Sequence, residues 1–361
     1  MPTEHHVTLP SGTLRLTVER ELQPLSDLVK YAVRENPKRG FLFVSTVLGK
    51  HIPTLPERAA WTHQALARAL PPLTWPHFIG LAETATALAE GVHAEWQALW
   101  PDVQSSYQHT TRYLTGEAVL LRFDEPHSHA PAHILHQPDG DVSGVRELVL
   151  VDDEITTGTT LTNLARAWCD LYPQVDRIIL ICLTSWADPA ALQARVTPLL
   201  HLLSLTQGKY EFTPNPTWPS PVTPPVHGTD GVSRTHLQQS RRTASRPLTL
   251  PDMEALGLTG ASRLLVLGTG EHQYPAYALA RHLQDQVAQV RFSATTRSPV
   301  LPGLAMTRKL TFTDNYGDGM PNYLYNVDPD VYSDIIVVHE PGCDVPELLA
   351  LLGRHARSVI L

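Results

Sequence analysis

Cysteine is scarce in this chain: three in 361 residues, at positions 169, 182 and 343, with no C-x-x-C spacing. That scarcity excludes a disulfide framework and gives no support to a cysteine-based metal site. Charge is also sparse, at 18% of residues, with a net charge of −8. A general nucleic-acid coat is therefore not expected, although a local basic pocket for an anionic ligand remains open. No apolar run approaches the roughly 18 residues needed to cross a bilayer. Residues 1–20 lack the basic start, apolar middle and small-residue cleavage site of a signal peptide. A cytoplasmic protein without nucleic-acid or membrane partners is the expectation. What the chain does have is proline, 31 of them, and an apolar fraction of 42%, enough at this length for two cores.

The prolines punctuate. Residues 213–247 are rich in proline, serine and arginine and carry neither a helical nor a strand period, so they read as a linker between units at 1–212 and 248–361. Arg241, Arg242 and Arg246 read as its solvated charge. Before the linker, "HVTLPSGTLRLTV" predicts a hairpin turning at Ser11–Gly12. Apolar runs ending at "RGFLFVSTVLG", "WPHFIGLA", "RELVLV" and "VDRIILICLTSW" alternate with helical spacing in "ETATALAEGVHAEWQALW" and from Thr160 to about Tyr172. Such alternation predicts an α/β fold with a parallel sheet wrapped by helices. After the linker a smaller α/β pattern restarts at "SRLLVLG".

The densest chemistry lies in "LVLVDDEITTGTT", residues 148–160. Four consecutive apolar residues suit a central parallel strand, buried on both faces. Asp152 and Asp153 then fall at its carboxyl end, where open α/β sheets bind ligands. Ile155, Thr156, Thr157, Gly158, Thr159 and Thr160 form the turn into the next helix. Free backbone amides, threonine hydroxyls and the helix dipole make such a turn an anion site. Loop and carboxylates thus serve two ends of one ligand, a phosphate at one end and sugar hydroxyls or metal-bound water at the other. The plainer alternative is that the two acids only cap the helix.

This stretch resembles the signature of type I phosphoribosyltransferases of the orotate phosphoribosyltransferase-like kind, departing from it at Glu154, where an apolar residue is usual. The resemblance implies 5-phosphoribosyl-1-pyrophosphate as one substrate, a nucleobase-like molecule as the other, and Mg²⁺ as cofactor, held through Asp152 and Asp153 by ribose hydroxyls or water. It further implies a pyrophosphate loop at Ala82, Glu83, Thr84 and Ala85, with Arg112 neutralising the pyrophosphate. Glu83 is an unusual neighbour for pyrophosphate; it either helps hold magnesium or points away. A flap is implied over "FDEPHSHAPAHILHQPDGD", with His127, Ser128 and His129 as ligand contacts. The same loop, with histidines at 127, 129, 133 and 136, keeps a zinc site open as an alternative. Lys50 and His51 are candidates for base or phosphate contact, or simply a turn after a buried strand.

Taken whole, the chain is similar to phosphoribosyltransferases of bacterial tellurium-resistance and stress operons, which are fused to a carboxyl-terminal TRSP domain; Thr296-Arg297-Ser298-Pro299 matches that name. The resemblance implies a nucleoside-like product, operon-encoded enzyme partners and, by default for the family, a homodimer. The runner-up is a non-catalytic sensor of phosphoribosyl pyrophosphate or a nucleotide on the same fold.

The second unit echoes the first. "FIGLAETATALA" parallels "LVLGTGEHQYPAYALA", "HTTRYL" parallels "ATTRSP", and "LVLVDDEITTG" parallels "DIIVVHEPG". The expectation is a diverged phosphoribosyltransferase-like fold that lacks the ribose-phosphate loop, with Glu271, Arg297, Asp314 and Asp318 lining a second site.

Overall fold

The computed structural model describes residues 2–34, 40–124, 132–219, 237 and 248–361. The flap residues His127, Ser128 and His129 lie outside them, as does most of the segment read as linker.

The amino-terminal part opens with the expected hairpin: strand β1 (Thr3–Leu9) pairs antiparallel with β2 (Gly12–Glu21), turning with Leu9 opposite Gly12. A short helix α1 (Leu25–Leu28) leads into a second hairpin, β3 (Val29–Ala32) with β4 (Leu42–Ser45). Helix α2 (Pro56–Ala69), strand β5 (Pro76–Gly80), helix α3 (Thr86–Leu99) and strand β6 (Ser106–His109) follow. Next come a hairpin of β7 (Val119–Asp124) and β8 (Ala132–His136), strand β9 (Glu147–Val151) and the two-residue β10 (Glu154–Ile155). Helix α4 (Thr159–Leu171), strand β11 (Arg177–Ser185), helix α5 (Pro189–Gln193) and the long strand β12 (Leu199–Pro214) complete it.

The main sheet has the order β1-β2-β12-β11-β9-β5-β6, with β10 on β11. Its centre, from β12 through β6, is parallel, as the alternation of strands and helices requires. The continuous apolar run of β9 follows from that position. Val149 and Val151 face the core shared with α3, whereas Leu148 and Leu150 face the core shared with α4. All four are fully buried. Strand β12 runs to Pro214, paired with Gly12, and so extends into the stretch read as linker.

The carboxyl-terminal part consists of β13 (Arg263–Gly268), α6 (Tyr274–Leu283), β14 (Gln289–Ala294), a hairpin of β15 (Lys309–Thr313) and β16 (Pro321–Tyr325), β17 (Asp334–His339), α7 (Pro346–Leu352) and β18 (Ala356–Ile360). Its parallel sheet has the order β14-β13-β17-β18. Strand for strand this repeats β6-β5-β9-β11, including the excursion through a hairpin before the third strand. Helix α2 straddles both parts: Leu66 and Ala67 enter the core beneath α3, while Ala59 and Ala60 enter the core beneath α6.

Candidate functional site

The carboxyl ends of β9, β5 and β6 lie side by side, and the residues singled out at 152–160, 82–85 and 112 follow them directly. Beyond β9, the Asp152 amide still donates to Ile181 O at 3.0 Å, and Asp153 O accepts from Leu183 N at 3.1 Å. The backbone carrying both acids is therefore held in the sheet while their side chains remain partly exposed. Asp152 Oδ1 accepts from the Asp153 amide at 2.9 Å. Ile155 is buried in the core and anchors the loop from below. Gly158 has φ +65°, a left-handed conformation that favours glycine. A Cβ there would also sit 2.4 Å from Leu192 Cδ2. Gly158 is the N-cap of α4, and no side chain caps the helix from that position, which leaves its first turn directed at the loop Thr156–Thr160. Arg195, which the sequence reading did not single out, donates to Thr157 O at 2.9 Å and to Thr159 Oγ1 at 3.2 Å. It adds a positive charge beside the loop, brought there from beyond β11.

At the end of β5, the Ala82 amide donates to Thr110 Oγ1 at 2.9 Å, and Ala85 N donates to Leu81 O at 3.0 Å. The peptide bond between Ala82 and Glu83 is cis. Ala82 and Ala85 are buried, whereas Glu83 and Thr84 are half-buried. Arg112, also half-buried, follows the end of β6. Glu83 makes an ion pair with Lys50, Oε1 to Nζ at 2.7 Å. Burial pushes the Glu83 carboxyl up, but Lys50, with help from Arg297 and a hydrogen bond from Thr296, outweighs that and holds it below the ordinary carboxylate range. The unusual acid in this loop is thus committed to cations within the protein. Lys50, only 2% exposed, also donates to Gly270 O at 2.7 Å. Neighbouring His51 is buried and its pKa falls to about 3, through burial and then the charge of Lys50.

Replacing Lys50 by methionine leaves a half-buried carboxylate without its nearest cation. It is expected to cost about 3 kcal/mol in urea-induced unfolding, at the lower end of buried-pair disruptions because Arg297 remains close. Lys50→Met combined with Glu83→Gln is expected to recover most of that loss.

The histidine loop divides. His133 and His136 are buried in the described part. His133 Nδ1 meets Thr110 Oγ1 at 3.0 Å, and its ring stacks on Phe123 with centroids 5.0 Å apart. His136 is bound through both ring nitrogens, Nδ1 to Glu117 O at 3.2 Å and Nε2 to Tyr113 O at 3.1 Å. These two rings are occupied in packing and hydrogen bonding, which does not favour the zinc alternative. Among the described residues, no cluster of three or more His, Cys, Asp or Glu side chains could hold a metal ion. Asp152 and Asp153 offer hard oxygen donors suited to Mg²⁺, which is commonly held by one or two carboxylates together with substrate phosphates.

The carboxyl-terminal part repeats the β5–β6 end bond for bond. Thr110 N donates to Gly80 O at 2.9 Å, and Thr295 N donates to Gly268 O at 3.0 Å. Ala82 N reaches Thr110 Oγ1 at 2.9 Å, and Gly270 N reaches Thr295 Oγ1 at 3.0 Å. Thr111 exchanges backbone hydrogen bonds with Ile134, as Thr296 does with Tyr323. The end of the β9 counterpart differs. Glu340 is buried beneath the Tyr316 hydroxyl, 3.1 Å away, and Pro341-Gly342 stands where the threonine loop would begin. Of the residues predicted for a second site, Arg297 pairs with Asp318 at 2.5 Å, donates to the Tyr113 hydroxyl and lies over the Tyr113 ring. Asp314 Oδ2 accepts from the amides of Tyr316 and Asp318. Glu271 crosses to the amino-terminal part.

Residues 28–209 match the phosphoribosyl transferase family, and residues 227–354 match the TRSP domain found carboxyl-terminal to it. The second match begins within the stretch read as linker. Solved structures similar to the chain include adenine phosphoribosyltransferase from Thermoanaerobacter pseudethanolicus, at 19% identity over 50% of this chain and 95% of that one, with a TM-score of 0.34. The Giardia lamblia adenine enzyme complexed with 9-deazaadenine shows 16% identity over 52% and 98%, with a TM-score of 0.33. The Trypanosoma brucei adenine enzyme, in complex with AMP, pyrophosphate and ribose 5-phosphate, shows 13% identity over 55% and 87%, with a TM-score of 0.35. A comparison with curated proteins finds no match.

Proposed function

Since this chain belongs to the phosphoribosyl transferase family, we propose that it moves the 5-phosphoribosyl group of 5-phosphoribosyl-1-pyrophosphate to a ring nitrogen of a nucleobase or base-like acceptor. The nitrogen lone pair forms the bond to the anomeric carbon as the bond to pyrophosphate oxygen breaks, and the bonding pair leaves with pyrophosphate. We assign residues 1–212 to the transferase unit, 213–247 to the connection and 248–361 to the TRSP unit.

The observation that carries this reading is the side-by-side placement of three features at adjacent strand ends. These are the Asp152–Asp153 pair, the Gly158-capped start of α4 and the loop before α3. The threonine loop and the first turn of α4, with Arg195 beside them, suit the 5-phosphate. Within the 82–85 loop the amides of Glu83 and Thr84, together with the fork of Arg112, suit the departing pyrophosphate, while the Ala82 and Ala85 amides brace the loop from within. Asp152 and Asp153 suit the ribose hydroxyls, orienting the ring for attack from the face opposite the leaving group. Mg²⁺ would supply charge neutralisation on the pyrophosphate and a template across the ribose, with Asp152 and Asp153 as its protein-side donors. The protein's own contribution is positioned charge around an oxocarbenium-like transition state, and no protein nucleophile is needed. A product acting in a tellurite or stress response is the biological reading of the TRSP fusion.

The test is release of pyrophosphate from phosphoribosyl pyrophosphate and Mg²⁺ across a panel of nucleobases and small heterocycles. Release that depends on one added base supports transfer and names its acceptor class. Tight binding of phosphoribosyl pyrophosphate with no release from any member of the panel would instead favour the sensor.

A further inference from the structure

The two units do not pack through apolar surface alone; each reaches into the strand end of the other. Glu271, in the carboxyl-terminal counterpart of the 82–85 loop, accepts from Thr111 Oγ1 at 2.6 Å and from the Arg112 amide at 2.9 Å. Its own carbonyl accepts from Thr86 Oγ1 in the first turn of α3 at 3.1 Å. In the opposite direction, Glu83 is held by Thr296 and Arg297, which follow the end of β14 as Thr111 and Arg112 follow the end of β6. The exchange is reciprocal. Each unit's loop glutamate lies at the Thr-Thr-Arg segment of the other: Glu271 binds Thr111 and the Arg112 amide, and Glu83 meets the Thr296 side chain within the field of Arg297. Glu271 is only 4% exposed, so its carboxylate acts in a low-dielectric site where charged hydrogen bonds are strong and directional.

We propose that Glu271 of the TRSP unit is a positioning residue for the pyrophosphate subsite of the transferase unit. The inference rests on the transferase reading above. A carboxylate that binds the amide of Arg112 and the hydroxyl of the residue before it fixes the backbone from which the Arg112 side chain projects. The Glu271 carbonyl, through Thr86, ties the start of α3 to the same point, immediately after the 82–85 loop. The two predicted pyrophosphate contacts are therefore set by one residue of the other unit. The ribose-phosphate loop stands apart: its side-chain partner across the sheet is Arg195, from the transferase unit itself. The carboxyl-terminal unit, whose own acidic strand end is closed by Glu340 and Tyr316, thus completes half of its neighbour's site.

Calorimetry on the full chain separates the two subsites, with inorganic pyrophosphate plus Mg²⁺ as one probe and ribose 5-phosphate as the other. Glu271→Ala is expected to weaken pyrophosphate binding about tenfold, the scale of a lost charge-assisted hydrogen bond, while ribose 5-phosphate affinity stays at the parent value. Glu271→Gln keeps an acceptor for the Thr111 hydroxyl and is expected to recover part of the loss. It also serves as the folded variant should the alanine form not fold. Equal weakening of both ligands would make Glu271 a general structural contact and overturn the proposal, as would unchanged pyrophosphate binding in both variants. A parent protein that binds neither probe would instead overturn the transferase reading on which the proposal stands.

Discussion

Replacing Asp152 and Asp153 together by asparagine is expected to reduce acceptor-dependent pyrophosphate release about a thousandfold or more, the scale seen when charge stabilisation is removed from a reacting centre. The backbone at both positions is held by sheet hydrogen bonds to Ile181 and Leu183. Asp152 Oδ1 accepts from the Asp153 amide, and an asparagine carbonyl can accept that bond too. Near-parental melting behaviour with lost turnover is therefore expected. Steady-state kinetics beside a thermal melt reads both. Undiminished release in the folded double variant would remove the two acids from the reaction and return them to the role of helix-capping charge.

The second large effect concerns acid. Burial lowers the pKa of His63 and His77 to about 3 and of His93 to about 4, with a contribution from His93 at His77. His51 falls to about 3 as well. Their surroundings explain why the rings stay neutral. His77 stacks on Trp168 at 4.7 Å and meets Ser106 Oγ, His93 meets Ser105 Oγ, and His63 packs edge-on against Tyr277 of α6. Folded values below the unfolded value of 6.5 mean that the unfolded chain binds more protons between those limits. The stabilising contribution is then fully present above pH 6.5 and is lost as pH falls toward 4 and 3. Each such ring contributes a slope of about 1.4 kcal/mol per pH unit, so the four together approach about 5 kcal/mol per unit near pH 5. Glu83, also held below its ordinary value, adds loss of the same sign at lower pH. The urea midpoint is expected to be level above pH 7.5 and to fall steeply below pH 6. A midpoint unchanged between pH 7 and 5 would mean that these rings titrate freely in the folded protein.

His63 also shows how α2 joins the units. Its ring fills the space beside Gly91 of α3, where a Cβ would stand 2.2 Å from Nδ1, and touches Tyr277 of α6. Residues 56–69 received no element in the sequence reading, because the buried face of this helix is carried by Pro56, Ala59, Ala60, His63 and Ala67, with Leu66 its one large apolar residue. Its two ends serve different cores, and a one-face pattern cannot encode that. Strand β12 was missed for a related reason. Its apolar first half pairs parallel with β11 and its mixed second half pairs antiparallel with β2, with a register shift at Gln207/Gly208.

By itself the sequence determined the local units: the amino-terminal hairpin, though its turn falls at Pro10–Ser11, one residue before the expected Ser11–Gly12, the doubly buried strand before Asp152, the glycine-capped turn into α4, and the repeated order of loop, Thr-Thr-Arg and terminal strand. These are legible because strand burial, left-handed turns and helix starts depend on residues within a few positions of one another. Tertiary structure decided where the charged side chains went. Glu83 looked like a ligand contact or a magnesium ligand until Lys50 and Arg297 arrived beside it, and Glu271 looked like part of a separate second site until it met Thr111 and Arg112. A buried charge goes where an opposite charge or a free donor is brought to it. Those partners come from other strands and from the other unit, at separations that no sequence period records.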